Sequence, residues 1–309
     1  MKNAFNTKNW KAYYINLEHR TDRREHIESE FKKVGIQAEK LSAMIDKDVV
    51  NFPEIKLTNV VSPAPHSTDN SCIAPHSDGN WGCTLSHYSI LKKHLESKDE
   101  KILAIFEDDA YLSEDFNERL EYLQKNFDLD WDMFYLGSWC RLIKDEKTKI
   151  KYVWRIRDII YSGHGYLVNP KSLPKIIELV KEKAKETEII DSIYCHLVPQ
   201  LKMYAVIPWM VSQIRGKSDI RSSSGNYHKF FSKLYGEHIF SYRLKDFKYY
   251  KTNKIYLLKY DFKYKIYTYI LRFSRFLNSS FPRVYRVVYR VYKTIFPMQK
   301  WYIHKINRF

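Results

Sequence analysis

Three carboxylates stand side by side in Glu107-Asp108-Asp109, directly after the apolar run Ile102-Leu103-Ala104-Ile105-Phe106. Adjacent negative charges repel, so a chain that keeps them together behind a buried segment usually supplies a cation or positive ligand to offset them. The chemistry they invite is divalent-metal binding. If the apolar run is a strand, Glu107 and Asp109 point one way and Asp108 the other, and two of them can converge on an ion only at the mouth of a sheet. The same residues would also suit the first turn of a helix or a solvated turn, because acidic groups favour helix N-termini.

A second group is basic. Asn16, Arg20, Arg23 and Arg24 follow the β-rich run Ala12-Tyr13-Tyr14-Ile15-Asn16-Leu17. Guanidinium groups and free helix amides at such a turn can hold a phosphate, although Asp22 could instead cap a helix with the arginines solvated around it. A third group is Gly82-Cys83-Thr84-Leu85-Ser86-His87, with Cys83 and His87 at helical i, i+4 spacing and His66, Cys72 and His76 upstream. A zinc site is conceivable here, but these spacings match no familiar zinc pattern, and Cys83 reads rather as a small buried residue and His87 as a hydrogen-bonded or site-lining one. Gly163 and Gly165 could let backbone approach a ligand or form a plain turn. Asp191 follows a helix, and Gln213, Ser218 and Asp219 occupy a polar segment that could close over a site or simply be loop.

The elements that must position these groups alternate in type. A strand near 12–17 leads to a helix with Ile27, Phe31 and Val34 on one face, stopped by Gly35. Residues Asn51 to Asn80 are rich in Pro, Ser, His and Asn and read as a long loop. A helix from Gly82 to about Ser97 precedes the acidic strand, and Trp131 to Leu136 forms another strand ending at Gly137. A charged hairpin (Lys144 to Lys151), a strand entered at Gly163-His164-Gly165, a helix from Pro170 to Lys185 and a strand at Tyr204 to Trp209 complete the pattern. Strands alternating with helices predict an α/β fold with a mixed, mostly parallel sheet, whose ligands bind at strand carboxyl ends.

The 309 residues carry a formal net charge of +16, but unevenly. From Lys229 onward there are 19 basic and 3 acidic residues, leaving 33 of each in the first 228. A neutral body with a basic, aromatic end implies a catalytic domain (1–228) plus a surface-binding segment (229–309), and argues against one continuous nucleic-acid-binding face. Arg283, Arg286, Arg290 and Lys293 fall on one helical face and Val284, Val287, Val288 and Val291 on the other, as suits an anionic membrane surface. There is no apolar run of transmembrane length and no signal-peptide core near Met1, so a cytoplasmic protein is expected, peripheral on the inner face of the membrane. Cys72, Cys83, Cys140 and Cys195 are then expected as thiols.

Taken in order, Tyr14-Ile15-Asn16-Leu17 with Arg20-x-Asp22-Arg23-Arg24, then Gly82 to His87, Phe106 to Ala110, and Gly163-x-Gly165-Tyr166-Leu167-Val168 resemble glycosyltransferase family 25. This family comprises lipooligosaccharide galactosyltransferases and their collagen-modifying relatives. The resemblance implies a GT-A-like nucleotide-diphosphosugar fold and a UDP-sugar donor. It also implies Mn²⁺ (or Mg²⁺) on Glu107, Asp108 and Asp109. Asn16, Arg20, Arg24, Ser86, His87, Gly163 and Gly165 would lie around the donor, and Asp191, with Asp219 next, would be the base that takes the acceptor's proton. A saccharide or glycolipid acceptor of the lipooligosaccharide kind is expected, and no nucleic acid. The rival classes are a basic membrane- or RNA-binding adaptor without catalysis and a metal-dependent phosphoryl-transfer enzyme using the same carboxylates.

Overall fold

The computed structural model describes residues 4–55, 78–140, 146–157, 160–207 and 209–214. Asp219, Ser218, His66, Cys72, His76, the expected 228/229 boundary and the basic segment 229–309 lie outside the described residues.

Strand β1 (Trp10–Asn16) runs into helix α1 (Thr21–Val34) and returns as β2 (Ala38–Ser42), parallel to β1. The helix stops where the sequence requires it. Gly35 takes φ 75°, the left-handed conformation that costs glycine nothing, and its N–H and that of Ile36 both close on the Phe31 carbonyl. Ile27 and Phe31 face inward, and the Phe31 ring meets Phe106 edge-on at 5.1 Å. That contact fixes the start of α1, with its arginines, beside the next strand of the sheet.

Helix α2 (Asp78–Ser97) begins four residues before the expected Gly82, inside the stretch read as loop. Asn80 and Trp81 are buried in its first turn, and a Cβ on Gly82 would fall 2.2 Å from the Met44 carbonyl, so only glycine lets this turn lie against the 44–45 backbone. The remaining elements are β3 (Ile102–Glu107), β4 (Ala110–Leu112), α3 (Phe116–Asn126), β5 (Met133–Cys140), β6 (Glu146–Lys147), β7 (Val153–Arg155), β8 (Ile160–Val168), α4 (Leu173–Lys183), α5 (Ile190–Leu197), β9 (Met203–Val206) and β10 (Val211–Gln213).

Eight strands form one sheet in the order β2-β1-β3-β8-β5-β9-β7-β6, and β10 and β4 form a separate antiparallel pair. β3 is apolar and buried from Ile102 to Phe106, as a strand covered on both faces must be. It lies parallel to β1 and antiparallel to β8; β5 is antiparallel to β8 and parallel to β9. The sheet is therefore mixed, with an antiparallel strand at its centre where the sequence suggested mostly parallel pairing. Among the described residues the chain passes from β5 to β8 through the short β6–β7 hairpin with no helical crossover, and such a connection favours an antiparallel return. The core beneath includes Phe5, Phe127 and Phe134 packed edge to face, with centroids 4.8 to 5.3 Å apart. Such pairs add about 0.5–1.5 kcal/mol each beyond the area they bury.

Candidate active site

Glu107 is the last residue of β3, and Asp108 and Asp109 form the turn before β4. They open neither a helix nor a solvated loop. Asp108 accepts from Asn16 Nδ2 at 2.8 Å on one oxygen and from Arg23 at 3.0 Å on the other. Asn16 is the end of β1 and Arg23 the first turn of α1, so parallel pairing of β1 with β3 brings both to this carboxylate. The Arg23 guanidinium also reaches Asp109 at 3.2 Å. Asp108 is turned to β1 and α1, while Glu107 and Asp109, two residues apart, share one donor on their other side, the Gln213 amide, at 3.0 and 3.3 Å.

Two glycines bring Gln213 there. A Cβ on Gly137 would fall 1.9 Å from the Val211 carbonyl, and one on Gly165 would fall 2.9 Å from the Val211 side chain. With neither side chain present, β10 lies across the sheet and pairs Gln213 with Ala110. The Ile214 N–H then closes on the Asp109 carbonyl at 2.8 Å.

Helix α2 supplies the opposite wall. Cys83 and His87, one turn apart, present Sγ and Nε2 to a Glu107 oxygen, all within 4.8 Å of one another; His87 Nε2 is 3.8 Å from Glu107. His87 Nδ1 is 2.8 Å from the Tyr166 hydroxyl, which is 2.8 Å from that of Tyr194 on α5. Thr84 donates to the Glu188 carbonyl at 2.6 Å and so ties α2 to the segment that starts α5. Asp191, in the first turn of that helix, acts electrostatically on Cys83, His87 and Tyr194.

The electrostatics follow from burial. Glu107 is lifted above the usual carboxylate range by burial and then by Asp108, with Gln213 and Arg23 opposing. Asp109 is lifted by burial and then by Glu107, with Arg23 opposing. Their side chains remain 25% and 15% exposed, so they are open to a ligand from one side. Burial pushes His87 down to about 4, leaving a neutral imidazole, and pushes the Cys83 thiol up.

The expected site residues thus divide. Asn16, Glu107, Asp108, Asp109, His87 and Gly163 gather at one end of the sheet; a Cβ on Gly163 would stand 3.6 Å from the His87 ring. Arg20 forks onto Asp22 at 2.8 and 2.9 Å and holds that carboxyl at about 2, while Arg24 is half-buried beside Tyr14 and Glu18. Ser86 is buried between the Gly82 carbonyl and the Met44 N–H, and Gly165 is packed by Val211. Arg23, read from sequence as an anion binder, is turned to carboxylates, and Gln213 and Tyr166 carry contacts that spacing alone did not assign. The advance signals were the motif positions of Arg23 and Tyr166 and the polar segment that holds Gln213, since Arg23–Asp108, Tyr166–His87 and Gln213–Glu107 join residues 85, 79 and 106 positions apart.

An α/β sheet whose parallel strands β1 and β3 end at a carboxylate cluster, backed by an arginine turn, defines a class of ligand-binding enzyme domains. A sequence model described as Glycosyltransferase family 25 (LPS biosynthesis protein) matches residues 9–193, and the chain belongs to that family. It is 29% identical over 170 residues to "Procollagen galactosyltransferase 2" of Homo sapiens, a match covering 53% of this chain and 27% of that protein. Similar matches are "Procollagen galactosyltransferase 1-A" of Xenopus laevis (28% over 171 residues; 54% and 28%) and "Glycosyltransferase 25 family member" of Aedes aegypti (29% over 174 residues; 54% and 27%). The matched part of the chain spans little more than a quarter of the length of these relatives.

Proposed function

We propose that this chain transfers a hexose, galactose by analogy with its relatives, from a UDP-sugar to a saccharide acceptor of a lipooligosaccharide or related surface glycan. The observation that carries the reading is the pairing of Glu107 with Asp109 under one Gln213 amide, with Asp108 locked behind them by Asn16 and Arg23. Two partly exposed carboxylates, both raised by burial and by an acidic neighbour (Asp108 for Glu107, Glu107 for Asp109), fit a hard divalent cation, Mn²⁺ or Mg²⁺, which would relieve both. Glu107 and Asp109 would hold it, in a GT-A-like arrangement; when bound, it supplies positive charge to a diphosphate leaving group.

The chain's own residues do the rest. Asn16 and Arg23 fix Asp108 and keep the β3 turn in register. Gln213 orients both open carboxylates, and β10 covers them from one side. Asp191 is the base proposed for the acceptor hydroxyl, supported by its electrostatic reach to His87 and Cys83 on the same wall. Asp219 is the second choice. The basic segment 229–309 would hold the enzyme at the inner membrane face, where a glycolipid acceptor is presented.

A thermal-shift series on the full chain tests this. UDP-galactose with Mn²⁺ should raise the melting point further than either alone, with about 2.7 kcal/mol of stabilisation at a hundredfold excess over Kd. Asp109→Ala should abolish both the shift and turnover while the protein still unfolds cooperatively. The absence of a shift with any UDP-sugar and metal would refute the assignment.

A further inference from the structure

Among the described residues, one cluster is not explained by oxygen ligands. Cys83 Sγ, His87 Nε2 and a Glu107 oxygen converge within 4.8 Å, on two successive turns of α2 and the end of β3. A thiolate, an imidazole and a carboxylate form a donor set that Mn²⁺ and Mg²⁺ do not favour and that Zn²⁺ does. The His87 ring is fully buried, and its Nε2 has no hydrogen-bond partner while aimed into this cluster. A buried imidazole nitrogen left unsatisfied is destabilising, so an ion there would remove a penalty the fold otherwise carries. The other ring nitrogen is already held, since Nδ1 meets the Tyr166 hydroxyl at 2.8 Å and Tyr166 meets Tyr194. With Nδ1 as the donor, Nε2 presents a lone pair, which is how ligating histidines are fixed by a group behind them.

We propose that Cys83, His87 and Glu107 form a zinc site of three protein ligands with one open position, distinct from the Glu107–Asp109 oxygen pair but sharing Glu107 with it. The 3.8 Å from His87 Nε2 to Glu107 needs little contraction to reach the spacing of two ligands about 2.0–2.2 Å from one zinc. Binding displaces the Cys83 thiol proton to solvent and needs no oxidant or other reactant. Its consequence, resting on the transferase reading above, is that zinc withdraws Glu107 from the pair it forms with Asp109 and inhibits sugar transfer.

Cobalt(II) reads the site directly in the full chain, because a Co²⁺–thiolate bond gives a charge-transfer absorption that oxygen and nitrogen ligands do not. One equivalent of Co²⁺ should give this band, Zn²⁺ should remove it, and excess Mn²⁺ should leave it. Cys83→Ser should lose the band; Cys72→Ser and Cys195→Ser should keep it. No band in the wild type, or an undiminished band in Cys83→Ser, would overturn the site. X-ray absorption at the zinc edge of the wild-type protein needs no variant: one sulfur among light scatterers supports the site, and nitrogen and oxygen alone refute it. If UDP-sugar turnover is found, zinc should inhibit the wild type and lose that effect in Cys83→Ser, each measured against its own zinc-free rate. If no UDP-sugar is turned over, the transferase reading fails while the cobalt result still decides the zinc site.

Discussion

Asp108 is bound on both oxygens, by Asn16 and Arg23, and this asymmetry among three adjacent acids sets what each can do. A carboxylate with two fixed partners positions the turn, and its neighbours are left to bind. Arg23→Ala would leave Asp108 and Asp109 facing each other uncompensated; removing one partner of a buried pair costs about 3–5 kcal/mol. Chemical denaturation should show that loss, and added Mn²⁺ should recover part of it in this variant. The pH dependence has a definite sign. Glu107 and Asp109 hold their protons to higher pH when folded than when unfolded, so the unfolded state binds fewer protons as pH rises out of the ordinary carboxylate range. Metal-free stability should therefore fall between that range and neutrality, and Asp109→Asn should flatten the slope. A slope unchanged by the substitution would show that these acids titrate normally.

At the scale of elements, the site depends on β10 lying across the sheet. Gly137 and Gly165 leave the room for it, and the β4–β10 pairing then sets Gln213 over the acidic turn. Gly137→Ala places a methyl against the Val211 carbonyl, which the backbone can relieve only by lifting β10. Overpacking of this kind costs about 1–3 kcal/mol, and the larger effect should fall on ligand binding. The melting point should drop modestly while the metal-dependent UDP-sugar shift is lost. An intact shift would mean that Gln213 is not needed to orient the carboxylates.

Across the whole molecule, charge is divided between a neutral body and a basic end. If residues 229–309 meet an anionic membrane, each Lys or Arg near the surface contributes about 1 kcal/mol and the attraction is screened by salt. Replacing Arg283, Arg286, Arg290 and Lys293 with Gln should weaken sedimentation of the full chain with vesicles rich in anionic lipid. UDP-sugar turnover on a soluble acceptor should be unaffected. Equal binding to neutral vesicles would point to burial of apolar side chains instead of charge.

The sequence by itself determined most of the strands and helices around the site and singled out the three adjacent acids. The Ile102 to Phe106 run, the stop at Gly35 and the alternation that separates Asp108 from Glu107 and Asp109 are local properties of strands and helices, written in spacing. The early start of α2 and the short helix α5 escaped it because burial of Asn80, Trp81 and Ile193 overrides weak local preference. Only the tertiary structure decided which partner each charged group meets. Arg23 and Asp108 are 85 residues apart and Gln213 and Glu107 are 106 apart, so no local pattern records their contact. The antiparallel return of β8 and the glycine gaps beneath β10 bring distant segments to one end of the sheet, and there Cys83 and His87, paired by their i, i+4 spacing but without a third ligand legible in sequence, come to face a carboxylate.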